Sequence, residues 1–331
     1  RTPAAARRAH PMPTPPSSPA RDGSRIRSAN SRRRAFRERP HTILSTIPFL
    51  VLTAEWGRTS VPYNWRLMRQ RFEAAGETGN EWVYTELVRL YELWVDVAGT
   101  RVDSYATDQD ILVDAYLDGA DLYVIVNNLE FEETTFDLDL GGLGGANVLS
   151  VDIRHLHTDS GDPVLDVSSV AELPEVITLG GEATMVIRVE LDAVVTIGET
   201  STETKHYASS MLQSIGANTT LSFDVDGLTP GANGEAILRL GVGRAHGLSL
   251  TPTVTVNGTA VTVPSDYRGY DQFHNGNGRD EFFGVLEIPV PWAAIQASNQ
   301  IDVTFPENGG HVSSIALQIF NQSSAIVRRT K

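Results

Sequence analysis

The pattern of apolar and polar positions changes twice along the chain. Residues 1–42 contain almost no large apolar side chain, and residues 43–108 combine one continuous apolar run with segments of helical spacing. From residue 109 onwards, short segments in which apolar and polar residues alternate are separated by turn signals such as Asn257-Gly258. Alternation with frequent turns predicts a mainly β chain after a short mixed region.

The β region is predicted to form two β-sandwich domains, at residues 109–198 and 205–325, joined by a polar linker at 196–206. The predicted strands lie at 111–117, 122–128, 135–140, 148–156, 175–179, 183–191, 219–225, 236–241, 253–256, 282–288, 300–305 and 314–320.

The mixed region opens with the apolar run 47–52, which leads into Glu55. A run of this length predicts a strand buried on both faces. The elements predicted after it are helices at about 63–75 and 81–96 and a short strand at 100–105. An ionised carboxylate is costly beside an apolar core. Glu55 therefore has either a structural partner, such as an Arg or a helix cap, or a chemical function.

Charge is distributed unevenly along the chain. Residues 1–41 hold eleven Arg against Asp22 and Glu38, whereas the whole chain has a net charge of −14, so the remainder is strongly acidic. An acidic body repels phosphate backbones and anionic membranes, which argues against nucleic acid as the main partner and suits a neutral polysaccharide.

No apolar run is long enough to predict a membrane span. The absence of Cys excludes disulfides and thiolate metal sites.

The Arg/Pro-rich residues 1–42 are predicted to be disordered, because they contain too little apolar surface to bury. A secretory signal needs an apolar stretch after its basic start, and none is visible here. Two alternatives stay open. The segment is a basic arm that binds polyanions, or it is coding DNA read in a shifted frame.

Three stretches resemble the β-agarase and β-porphyranase glycoside hydrolases of the family 86 type: 93–129, 282–292 and 303–319. The resemblance covers about residues 43–325 and leaves residues 1–41 unmatched. It implies a (β/α)8 barrel followed by two β-sandwich domains. On this basis residues 43–108 are expected to be the C-terminal fragment of that barrel, and the second sandwich is expected to be carbohydrate-binding.

The resemblance also implies a catalytic role for Glu55, as the nucleophile of a retaining glycosidase at the end of barrel strand seven. Its partner acid follows an Asn at the end of strand four in the related enzymes, and this sequence contains no such strand. The chain is therefore expected to be the C-terminal portion of an agarase and to be inactive alone. An agar-type galactan is the implied partner, and an extracellular location is implied with it.

Substrate-binding residues are predicted around that strand end and in one loop of the last domain. The candidates are Trp56, Arg58, Tyr63, Asn64, Asp103, Tyr105, Tyr267 and Tyr270. Aromatic rings suit the apolar faces of sugars. The structural alternatives are that Trp56 fills the top of the barrel and that the loop aromatics anchor the loop to its own sheet.

Two places in the sequence raise the question of a metal ion. His155 and His157 alternate on a predicted strand, with Asp152 and Asp159 nearby, but no third ligand has a diagnostic spacing. A polar strand face is therefore favoured, and no metal site is predicted there. The loop residues Asp266, Asp271 and Asp280 permit a structural Ca²⁺. No other cofactor is predicted.

A second class of function fits the same residues. Two β-sandwiches without a complete barrel could form a non-catalytic carbohydrate-binding or scaffold protein. The distinguishing feature is the carboxylate at Glu55, considered together with the acid that its catalytic role requires.

Overall fold

A computed structural model describes residues 22–23, 25–27, 29–30, 47–49, 51, 66–72, 81–141, 143–268 and 281–325. These residues are mainly β, in agreement with the alternating pattern. The chain divides into two compact units, which are described separately. The first holds most residues up to 194, and the second holds residues 195 onwards together with 103–112 and 129–131.

The strands that involve the first unit are β1 (Met68–Gln70), β2 (Trp82–Tyr84), β3 (Thr100–Val102), β4 (Ile111–Asp118), β5 (Asp121–Asn128), β6 (Thr134–Phe136), β7 (Val148–Asp159), β8 (Asp162–Val170), β9 (Ile177–Leu179) and β10 (Thr184–Leu191). Six of them form one antiparallel sheet in the order β3-β4-β5-β10-β7-β8, while β1 pairs with β2 and β6 pairs with β9. The central strands β5 and β10 are buried on both faces, which explains their nearly continuous apolar sequence.

One helix, Val88–Trp94, packs on this sheet. The apolar cluster around it joins the helix to the strands and to two earlier parts of the chain. Its buried members are Ile26, Phe49, Leu87, Leu90, Leu93, Trp94, Tyr123, Ile125, Leu156 and Val186.

The expected barrel fragment does not appear among the described residues. The predicted helix at 63–75 is wrong over β1, where Met68 N–H donates to Val51 O and the strand pairs antiparallel with β2. The helix predicted at 81–96 begins only at Val88, because β2 takes up its first turn. Barrel strands pair in parallel, whereas β3 pairs antiparallel with β4. Tertiary pairing therefore overrides the helical spacing of this region.

Part of the Arg-rich segment is ordered, which corrects the prediction of disorder there. Residues 22–23, 25–27 and 29–30 are helical. Ile26 is fully buried in the cluster around the helix, and Trp94 Nε1 donates to Asn30 Oδ1 at 2.9 Å. Composition averaged over the segment missed these contacts, because a few residues such as Ile26 and Asn30 make them.

The second unit contains β11 (Ser201–Tyr207), β12 (Gln213–Ser214), β13 (Thr220–Asp226), β14 (Asn233–Ala245), β15 (Thr253–Val256), β16 (Thr259–Val261), β17 (Glu281–Val290), β18 (Ser298–Thr304) and β19 (His311–Gln322). One sheet has the order β11-β19-β14-β17, with β12 also paired to β19, and the other has the order β13-β18-β15-β16. Both sheets contribute to one buried apolar cluster, so the unit is a β-sandwich. The predicted linker 196–206 is wrong in its second half, which forms the edge strand β11.

None of the helices in the described part of the chain is long and apolar enough to cross a membrane.

The burial of Ile26 predicts that residues 22–30 stabilise the first unit. Ile26 is 1% exposed, whereas Ile47 is 84% exposed and serves as a matched control. We expect Ile26→Ala to lower the free energy of unfolding by about 2–4 kcal/mol, since it leaves a cavity among packed side chains. Ile47→Ala should change it by less than about 0.5 kcal/mol. Urea denaturation followed by circular dichroism measures both. Equal effects would contradict the role of this segment.

Candidate functional site

Six of the residues predicted to act on substrate lie outside the described residues. They are Glu55, Trp56, Arg58, Tyr63, Asn64 and Tyr270. Their predicted roles stay predictions. Asp103 and Tyr105 are described and exposed, in the connection between β3 and β4. Because β3 pairs antiparallel in the six-stranded sheet, they follow a sheet-edge strand and not a barrel strand.

Tyr267 lies inside the second unit. Its side chain is 3% exposed, and its ring meets the Phe282 ring edge-on at a centroid distance of 5.1 Å. No ring face is available for a sugar in this conformation, which corrects the prediction that Tyr267 contacts substrate. The ring instead anchors the start of the loop to its own sheet, as the structural alternative proposed.

The next residue, Arg268, reaches the outer face of the five-stranded sheet. Its Nε and Nη2 donate to Glu287 Oε2 at 3.2 and 3.0 Å. Arg239 Nη1 donates to the other carboxylate oxygen of Glu287 and, at 3.3 Å, to Gln318 Oε1. Gln318 Nε2 then donates to Glu203 Oε1 at 2.6 Å. These five residues form a continuous hydrogen-bonded row across β17, β14, β19 and β11, which we call the polar belt.

Glu287 is the electrostatic centre of the polar belt. Its side chain is largely buried between the two guanidinium groups. Burial alone would raise the pKa of Glu287, but attraction to Arg268 and Arg239, together with their hydrogen bonds, outweighs it and holds the pKa below its ordinary value of 4.5. The belt therefore keeps a carboxylate ionised on a half-buried sheet face.

Two exposed aromatic rings lie on the same outer face as the polar belt. Phe283 on β17 is 60% exposed and Tyr207 on β11 is 55% exposed. The register aligns Tyr207, Arg239 and Glu287 in one row across the sheet. Phe283 stands four residues from Glu287 along β17, so strand and sheet spacings place the two rings about 20 Å apart. Rings that flank a polar row can stack on sugar faces while the row accepts or donates hydrogen bonds.

A second cluster of polar side chains lies in the first unit. His155 and His157 on β7 have stacked rings 4.7 Å apart, and His157 Nε2 lies 2.8 Å from Asp166 Oδ2 on β8. Gly180 N–H donates to His155 Nε2 at 3.3 Å. Burial, reinforced by the neighbouring His157, lowers the pKa of His155 to about 4. Its imidazole is therefore neutral at neutral pH.

Sequence reasoning considered the wrong carboxylates for this cluster. Asp152 lies on the opposite sheet face by alternation, where Ser169 Oγ and Arg188 Nη1 donate to it. Asp159 accepts a hydrogen bond from Ser160 Oγ. Asp166 was missed because β8 was not predicted as a strand. The Ser160-Gly161 pair, a turn signal between two runs, was the available clue.

Two protein-family models match the chain. "Porphyranase beta-sandwich domain 1" matches residues 110–213, and "beta porphyranase A C-terminal" matches residues 222–320. Funoran endo-beta-hydrolase of Wenyingzhuangia aestuarii is 44% identical over 310 residues, which are 92% of this chain and 42% of that protein. Beta-porphyranase A of Phocaeicola plebeius is 31% identical, over 85% of this chain and 38% of that protein.

Solved structures of similar enzymes superimpose on nearly the whole chain. The enzyme BuGH86 in complex with neoagarooctaose superimposes with a TM-score of 0.85 at 40% identity, covering 95% of this chain and 50% of that chain. BpGH86A, a beta-porphyranase of glycoside hydrolase family 86 from Bacteroides plebeius, gives a TM-score of 0.83 at 29% identity, covering 95% and 55%.

The matches also give the share of each relative's length that this chain covers. It spans about half the length of the relatives and structures that it matches. A match covering 95% of the chain is more than residues 43–331 could supply, so it extends into residues 1–42. This corrects the expectation that residues 1–41 have no counterpart, while the shifted reading frame stays a hypothesis.

The charge balance of the polar belt predicts a pH-dependent stability. We expect Glu287→Gln to lower the free energy of unfolding by about 2 kcal/mol at pH 7, because two guanidinium groups lose their carboxylate. The folded pKa of Glu287 is lowered, so its contribution is present above the unfolded value of 4.5 and is lost as pH falls through the folded pKa.

Glu281→Gln is the control, since Glu281 is an exposed residue of the same strand. Urea denaturation at pH 7 and at pH 3 measures both variants. A destabilisation by Glu287→Gln that is as large at pH 3 as at pH 7 would contradict the electrostatic origin.

Proposed function

We propose that this chain, which belongs to glycoside hydrolase family 86 with the β-agarases and β-porphyranases and matches both porphyranase β-domain models, is part of a hydrolase of agar-type galactans. The main support is the match to BuGH86 bound to neoagarooctaose, with a TM-score of 0.85 and 40% identity over 95% of the chain. Relatives named as a funoran hydrolase, a β-agarase and a β-porphyranase support the same substrate class.

The proposed reaction is retaining hydrolysis of β-1,4 galactosidic linkages. Glu55 attacks the anomeric carbon and forms a glycosyl-enzyme, the bond to the leaving oxygen breaks, and a second carboxylic acid protonates that oxygen and then activates water. A glutamate-to-glutamine variant of BuGH86 has also been crystallised with neoagarooctaose. The second acid is assigned to a strand that this sequence does not contain, so the chain alone is proposed to be inactive.

Galactan contacts are proposed at two places. By resemblance, seven residues are assigned to contact with the substrate: Trp56, Arg58, Tyr63, Asn64, Asp103, Tyr105 and Tyr270. In the second unit, the outer face between Phe283 and Tyr207 is assigned to binding, because its exposed rings flank the polar belt. Arg239 uses one nitrogen for its belt hydrogen bonds, and a guanidinium has five N–H donors in all. An extracellular location is part of the same proposal, since the polysaccharide is a large substrate.

A second candidate function is galactan binding without hydrolysis. It is favoured by one observation: the exposed rings of Phe283 and Tyr207 flank the polar belt on the outer face of the second unit. Retention on agarose without release of reducing ends is common to both candidates. Release of reducing ends by the chain would exclude the second.

Hydrolysis is tested by measuring reducing ends released from agarose and from porphyran, with the wild-type chain and with Glu55→Gln. We expect neither protein to release them, because the second acid is missing. Release that Glu55→Gln abolishes would establish the nucleophile and contradict the inactivity of the chain. Release that Glu55→Gln leaves unchanged would contradict the assignment of Glu55.

Binding is tested by affinity electrophoresis in agarose gels. We expect Phe283→Ala and Tyr207→Ala each to weaken retention about three- to tenfold, as the loss of one stacked ring costs about 0.5–1.5 kcal/mol. Tyr84→Ala is the control, since Tyr84 is equally exposed but lies on β2 in the first unit. Equal retention of all three variants would exclude the outer face as the binding surface.

A further inference from the structure

We propose that His155, His157 and Asp166 bind one divalent transition-metal ion, with Zn²⁺ as the representative. The three side chains supply two imidazole nitrogens and one carboxylate oxygen, and these donor atoms all lie within 4.8 Å of one another. The site is independent of the proposed hydrolase function, because its residues belong to the hairpin β7–β8 and to none of the predicted galactan contacts.

The hairpin itself brings the three donors together. His155 and His157 are two residues apart on β7, so both side chains point to the same face. The register pairs His155 directly with Asp166 on β8, which adds the carboxylate to that face. The connection is the two-residue turn Ser160-Gly161, between the paired residues Asp159 and Asp162.

The turn fixes this register. Ser160 and Gly161 both have positive φ values, of 50° and 95°. Two positive φ values in a two-residue connection are the type I′ geometry that matches the twist of a β-hairpin. A shift of one residue would move Asp166 to the opposite face. The turn therefore holds the carboxylate opposite the two imidazoles before any ion binds.

The donor set selects the class of metal. Imidazole nitrogens with one carboxylate suit Zn²⁺, Cu²⁺ or Ni²⁺, whereas Ca²⁺ and Mg²⁺ take mainly oxygen ligands. His155 Nε2 accepts a hydrogen bond from Gly180 N–H, so that nitrogen carries a lone pair. Three protein ligands leave a fourth tetrahedral position for water.

Access to the cluster is open on the carboxylate side. The Asp166 side chain is 67% exposed, while Gly180 lies beside His155, where a Cβ at Gly180 would be 3.7 Å from His155 Nε2. Ligands of tetrahedral zinc lie about 3.3 Å apart. Small rotations of the side chains would bring donors now up to 4.8 Å apart to that spacing. Coordination through His155 Nε2 would replace only the long 3.3 Å hydrogen bond from Gly180 N–H.

Bound metal would tie an edge strand to the sheet. β8 is the last strand of the six-stranded sheet, and most of its residues are exposed. A ligand that binds only the folded hairpin stabilises it by RT ln(1 + L/Kd), where L is the free ligand concentration, so the stabilisation grows with the logarithm of ligand concentration above the dissociation constant. The proposal therefore includes a rise in melting temperature on addition of Zn²⁺.

The test is a calorimetric titration of metal-stripped, tag-free chain with ZnCl₂. We expect one Zn²⁺ per chain, with at least tenfold weaker binding in His157→Gln and in Asp166→Asn. His206→Gln and Asp159→Asn are controls, since His206 lies in the second unit and Asp159 is a carboxylate of the same hairpin that bonds Ser160. Both controls should bind as wild type does. Co²⁺ should give the visible absorption of a tetrahedral site in wild type and not in Asp166→Asn.

Folding of the variants is checked by melting in EDTA, where Asp166→Asn should match wild type to within about 2 °C because the residue is exposed. Added Zn²⁺ should then raise the melting temperature of wild type and of both controls, but not that of Asp166→Asn. Failure of wild type to bind Zn²⁺, or equal binding by wild type and Asp166→Asn, would overturn the proposal and leave the cluster as a hydrogen-bonded pair of histidines. Binding of Ca²⁺ in preference to Zn²⁺ at these residues would overturn it as well.

Discussion

The register of antiparallel strand pairs decides which side chains meet in this protein. Because side chains alternate between the two faces of a strand, pairing in one register builds the apolar core on one face and a separate polar arrangement on the other. In the second unit the inward residues of both sheets form one buried cluster. The outward residues of four neighbouring strands form the polar belt. In the first unit the same constraint places Asp166 opposite His155.

A largely buried titratable side chain is stabilised by different means in the two units. Glu287 stays ionised in a largely buried position because two guanidinium groups surround it, and together they keep its pKa low. His155 has no such counter-charge in hydrogen-bonding contact, and burial keeps its ring neutral instead. An ionised, hydrogen-bonded row and a stacked pair of imidazoles have different chemistry. The first suits contact with polar sugar hydroxyls, and the second provides lone pairs for a metal ion.

Similarity to family 86 enzymes extends over nearly all of this chain but over only about half of those enzymes. The two β domains and the residues that pack on them are therefore the part that this chain shares with those enzymes. Ile26, Phe49 and the helix Val88–Trp94 share one apolar cluster with the six-stranded sheet. The segments that precede the β domains are thus held to the first unit by packing as well as by chain connectivity.

The sequence by itself determined the class of fold and most strands of the two β regions, because buried strands carry an apolar pattern that is local. β5, β10 and β13 could be predicted from that pattern, and the family resemblance from short motifs. Edge strands such as β8 and β11 escaped prediction, since their exposed side chains need no apolar alternation. Helical spacing over Met68–Gln70 misled for the opposite reason, because pairing with β2 overrode it.

Only the tertiary structure decided the composition of the polar belt and of the histidine cluster. Glu203 and Glu287 belong to one row through the strand order β11-β19-β14-β17, which depends on contacts between segments distant in sequence. His155 meets Asp166 through the register of the β7–β8 hairpin, and the exposed residues of β8 gave no apolar pattern from which that pairing could be predicted.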